Sequence, residues 1–63
     1  MTRKLVSTMA CPKLERVAKI YRGATGSFWV WCYDNGEQLY PEARGTLDDA
    51  RALALSFIKG AVI

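Results

Sequence analysis

A chain of 63 residues can form one domain at most, and a composition of 51% hydrophobic against 24% charged residues excludes an intrinsically disordered polymer. The net charge of +3 is spread over nine Lys and Arg residues between Arg3 and Lys59, so there is no polybasic arm, and contact with nucleic acid or acidic protein is permitted without being required. The chain has no His, which excludes Ser-His and Cys-His nucleophile pairs.

Further classes fall away on the same grounds. Structural zinc sites usually take four N or S ligands, and Cys11 and Cys32 are the two thiols available. No metal and no cofactor are expected. The Walker A and Rossmann glycine patterns are missing, and Gly23-x-x-Gly26 reads as a turn. A pocket for a small substrate is hard to build from so short a chain. The expectation is a domain that is not an enzyme. The apolar stretch after Arg3 and Lys4 is too short and polar for a signal peptide, and no run approaches a membrane span. A cytoplasmic location is expected, with both cysteines reduced and Cys32 a small core residue. A domain of this size buries about 60% of its unfolded surface and gains roughly 3–5 kcal/mol from its core. Such domains often lean on a partner subunit.

In chain order, residues 1–11 read as an extra strand or a loose arm. Residues 13–22 carry two patterns. Leu14, Val17, Ala18 and Tyr21 fall at helical spacing behind Pro12. Arg16 to Arg22 also reads as a strand, and the strand is preferred because a lone two-stranded ribbon is marginal. Gly23-Ala24-Thr25-Gly26 follows as a hairpin loop. A five-residue loop would pair Arg22 with Phe28 and Ile20 with Val30; a four-residue loop would reverse the faces.

The stretch from Ser27 to Tyr33 is aromatic, apolar on both faces, and suited to a central strand. Asp34-Asn35-Gly36-Glu37 is a strong hairpin signal, since a type I′ turn needs positive φ at both central residues. That turn pairs Asp34 with Glu37, Cys32 with Leu39 and Val30 with Pro41, with Pro41 ending or bulging the return strand. The C-terminal segment reads as a helix. Thr46 is its N-cap, Asp48 and Asp49 suit the positive end of the dipole, and Gly60 suits the left-handed position past the end. Leu47, Ala50, Leu53, Ala54, Phe57 and Ile58 form its apolar arc. The fold class expected is α+β: an antiparallel sheet of three strands, or four if the N-terminal segment joins, packed on one C-terminal helix.

Strand alternation puts Phe28, Val30, Cys32 and Leu39 on one face and Trp29, Trp31, Tyr33 and Tyr40 on the other, with Tyr21 and Lys19 beside them. One helix covers one side of a sheet. Three readings of the aromatic face stand open. The N-terminal segment folds across it and completes the core. Alternatively the face is a protein interface, for a homodimer or another protein, with Trp and Tyr as anchors. In the third reading bases stack on the rings, and Arg16, Lys19 or Arg22 meets phosphates or an acidic partner.

The segment from Ile20 to Trp31, then Asn35-Gly36-Glu37, then Gly45-Thr46 and an Ala-rich helix resembles the small YegP-like domains over about two-thirds of the chain. The resemblance implies a strand–strand–strand–helix fold. The same outline is similar to the arm-binding domains of phage integrases, whose sheet enters the DNA major groove. The chain departs from them where they carry Arg and Lys and it carries aromatics. The function expected is a non-catalytic binding or regulatory module acting through protein–protein contacts, of a size that suits a phage or mobile-element accessory protein. The alternative is a nucleic-acid-binding domain.

Overall fold

The computed structural model describes residues 3–23 and 25–60. Met1, Thr2 and Ala24, the last in the glycine-containing loop, lie outside the described residues. An antiparallel sheet packs against a single C-terminal helix, the α+β arrangement expected. The strands are β1 (Lys4–Cys11), β2 (Arg16–Arg22), β3 (Phe28–Asp34), β4 (Glu37–Gln38) and β5 (Glu42–Arg44), followed by helix α1 (Leu47–Ile58). β1, β2, β3 and β4 lie side by side in chain order, and β5 continues the far side of β3. No described helix is long and apolar enough to cross a membrane.

Residues 16–22 form a strand, not a helix. The turn after Pro12 closes with Leu14 N–H donating to the Cys11 carbonyl at 3.1 Å and Glu15 N–H to the Pro12 carbonyl at 3.2 Å. Glu15 then takes a left-handed φ of 56° and reverses the chain. The helical spacing of Leu14, Val17, Ala18 and Tyr21 loses because β2 gains two hydrogen-bonded neighbours, β1 and β3. The next loop has five residues: Arg22 faces Phe28 and Ile20 faces Val30. Gly26, at φ 89°, occupies its left-handed position.

The Asn35-Gly36 turn has φ of 54° and 85° at its central residues, as a type I′ turn requires. Asp34 faces Glu37, and Leu39 N–H donates to the Cys32 carbonyl at 2.8 Å. The expected pairing of Val30 with Pro41 does not form. Val30 faces Glu42 instead, because one extra residue enters between Leu39 and Glu42. Pro41 has no N–H for the ladder, so the strand breaks there and resumes as β5, an element the sequence did not announce.

Thr46 caps α1, its Oγ accepting from Asp49 N–H at 3.1 Å. Lys59 is the C-cap, and Gly60 follows at φ 109°. Ala50, Ala54 and Phe57 face the sheet and are buried with Ala18, Ile20, Val30 and Cys32. Alanines at i and i+4 let the helix lie close to the sheet, and Phe57 fills the space left at one end. Leu47, Leu53 and Ile58 flank this core, as do Met9, Phe28 and Leu39 from the sheet. Both cysteines are free.

Candidate functional site: the open face of the sheet

The helix covers one side of the sheet, and the register fixes what the other side carries. Tyr21 lies opposite Trp29, Lys19 opposite Trp31 and Val17 opposite Tyr33. Gln38 extends that face beyond Tyr33, and Ala43 extends it beyond Trp29. On the other flank Leu5 lies beside Tyr21, Thr8 beside Lys19 and Ala10 beside Val17. Tyr40 stands free at 89% exposure where the chain leaves the sheet between β4 and β5, and Trp29 is 37% exposed. Trp31, Tyr33 and Tyr21 are half-buried by one another and by two cations.

Those cations are Arg3 and Lys19. The Arg3 guanidinium lies 4.9 Å from the Tyr21 ring centre and 5.0 Å from that of Trp31, bridging two strands. The Lys19 ammonium lies 5.6 Å from the Tyr33 ring centre. A cation over a ring is held by the ring's quadrupole, with about 0.5–1 kcal/mol at exposed sites. Trp31 Nε1 is closed off from solvent and has no hydrogen-bond partner. An unmet buried donor costs about 1–3 kcal/mol, so this N–H is a local cost of packing the indole against its neighbours.

Two open depressions flank the aromatic row. One, of about 490 Å³, is lined by Trp31, Gln38, Leu39, Tyr40 and Pro41. The other, of about 340 Å³, is lined by Glu15, Val17, Lys19, Tyr33 and Gly36.

The expected site residues therefore divide. Trp29, Trp31, Tyr33, Tyr21 and Lys19 come together on the open face, with Tyr40 at its rim. Arg16 and Arg22 do not join them, because even-numbered positions of β2 point toward the helix side along with Ala18 and Ile20. Arg16 Nη1 donates to the Phe57 carbonyl at 2.7 Å, its guanidinium lies 4.5 Å from the Phe57 ring centre, and Asp34 is 3.6 Å away. It is a clamp on the helix end. The reading in which the N-terminal segment folds across the aromatic face is also overturned for the described residues. β1 lies beside β2 in the plane of the sheet, and what crosses the face is the side chain of Arg3.

Arg3 was missed by sequence reasoning, and the cause is local. The register of β1 slips between Leu5 and Ser7, so that Leu5, not Val6, faces Tyr21. One extra residue in a strand inverts the faces of all that precedes it. Without this bulge Arg3 would point to the helix side.

The chain matches no protein-family model, no curated protein and no solved structure.

Proposed function

We propose that the chain is a non-catalytic binding module that takes a protein partner on the open face of its sheet. The observation that carries this reading is that one side of the sheet lies under the helix while the other presents a row of five aromatic side chains, Tyr21, Trp29, Trp31, Tyr33 and Tyr40, with no element of the described chain across it. Contiguous apolar patches of this kind mark interaction surfaces. Trp and Tyr supply large contact area at low conformational cost and dominate interface hot spots.

A second reading, nucleic-acid binding, is favoured by one specific arrangement: Arg3 and Lys19 lie directly over the rings. Ring and cation together are the elements of single-strand recognition, with bases stacked and phosphates neutralised. The net charge of +3 weighs against it, because phosphate neutralisation dominates that affinity.

The test uses the double variant Trp29→Ala/Tyr40→Ala. Tyr40 is 89% exposed and Trp29 37%, so the variant should fold with a melting temperature lowered by the packing Trp29 makes beside Tyr21, and the comparison is made well below that temperature. The immobilised parent chain and the variant are compared for protein captured from cells that produce the chain. A partner retained by the parent and weakened about 30-fold or more by the variant supports the reading, since an anchoring aromatic contributes about 2 kcal/mol or more. Equal retention overturns it. Calorimetric titration with single-stranded and duplex oligonucleotides at two salt concentrations decides the second reading: binding that weakens steeply with salt would favour nucleic acid.

A further inference from the structure

A different surface carries an inference of its own. β1 is the first strand of the sheet, eight residues long, and its outer edge pairs with no strand among the described residues. Such an edge is a row of backbone donors and acceptors ready to pair, and proteins that remain monomeric blunt it with charges, prolines, bulges or a covering segment. β1 has two such devices, the charge of Lys4 at its first position and the bulge at Val6. From Leu5 to Cys11 it has no charge and no proline, and Leu5 and Val6 are 50% and 39% exposed. Beyond the bulge, residues 7–11 form a regular run against β2.

We infer that the β1 edge is the seam of a homodimer, in which β1 of a second copy pairs antiparallel with it. The occupant follows from self-complementarity. A two-fold axis through Met9 sets Ser7 against Cys11, Thr8 against Ala10 and Met9 against itself, so no charge opposes a like charge along the run. The faces agree as well. Paired residues in an antiparallel sheet share a face, and Thr8 and Ala10 both lie on the open side while Ser7, Met9 and Cys11 lie on the helix side. Met9 already packs against the core, so the two copies meet across an apolar seam there. An axis perpendicular to the sheet leaves both helices on one side and both aromatic faces on the other. The dimer is one continuous sheet with a doubled aromatic surface.

Sedimentation from micromolar to millimolar concentration tests this on the full chain. The parent should associate. The variant Thr8→Glu/Ala10→Glu sets glutamate against glutamate twice across the seam, while within each copy position 8 lies beside Lys19, which favours the monomer fold. It should weaken association about tenfold or more with an unchanged circular dichroism spectrum. Should that variant fail to fold, Met9→Cys in a Cys11→Ser background is the second probe. Facing residues on antiparallel strands lie about 4.5–5.5 Å apart, within disulfide reach, so mild oxidation should give a covalent dimer. A parent that sediments as a monomer throughout overturns the inference. So does a dimer that survives the glutamates but is lost in Trp29→Ala/Tyr40→Ala, which would place the seam on the aromatic face.

Discussion

Arg16 stands on β2 but serves the helix. Its guanidinium meets the Phe57 carbonyl at 2.7 Å and lies against the Phe57 ring, at the helix end where the dipole favours a cation. The Arg16→Met variant keeps the aliphatic stem and loses the charged hydrogen bond; it should cost about 1.5–3 kcal/mol in urea unfolding. Phe57 itself is 1% exposed and is the largest fully buried side chain of the described core. Phe57→Ala should cost about 3–5 kcal/mol, enough to leave a domain of this size unfolded by circular dichroism. Cys32 gives a pH signature. Burial raises its thiol pKa, the Glu42 carboxylate adds to the rise, and Arg16 opposes it. A folded pKa above the unfolded one means that the neutral thiol is favoured in the fold. Its contribution is therefore whole below the ordinary thiol value and is lost as pH rises through the raised folded value. Urea midpoints taken from pH 7 to pH 10 should fall more steeply in the parent than in Cys32→Ala, although the variant is weaker throughout.

At the level of elements, the helix was legible because its signals are local and concordant: a hydroxyl N-cap, two acids in the first turn, an apolar arc and a closing glycine. Thr46 Oγ accepts from Asp49 N–H, and Thr46→Ala should lower stability by about 1 kcal/mol, read as a drop in thermal midpoint at unchanged helix content. The β3 hairpin turn was legible for the same reason, since Asn-Gly fits positive φ at both positions. What could not be read are the two places where register slips. Pro41 signals that the ladder must break but does not say that it resumes one residue later at Glu42. Nothing in Leu5-Val6-Ser7 marks a bulge, because three uncharged residues pair as readily in register as out of it. That single slip decides whether Arg3 belongs to the aromatic face. The candidate site was thus legible where it rests on strand alternation, in Trp29, Trp31, Tyr33 and Tyr21. It was illegible where it rests on a cation delivered by the edge strand. Arg16 and Arg22 lie close to Lys19 in the chain, yet strand alternation sends them to the other side.

For the whole molecule, the order of strands across the sheet bears on how the chain reaches it. β1, β2 and β3 lie beside one another in the sequence in which the chain makes them, joined by loops of residues 12–15 and 23–27. The reversal after β3 takes residues 35–36 alone. Each pairing therefore closes a short loop, and the entropy lost in bringing strand partners together stays small. No strand waits for a distant segment of chain. Among the described residues, the docking of α1 on the sheet joins the residues farthest apart in sequence, Arg16 and Phe57 among them. A β-rich domain with such local wiring has low contact order for its class, so its search for the native state is quick. Refolding after a jump out of denaturant should be a single exponential in the millisecond range or faster. Chains that start with a non-native bond before Pro12 or Pro41 wait tens of seconds for it to isomerise; a slow phase that a prolyl isomerase leaves unchanged would mean that the edge strand or the helix first docks in the wrong place and must detach before the sheet can close.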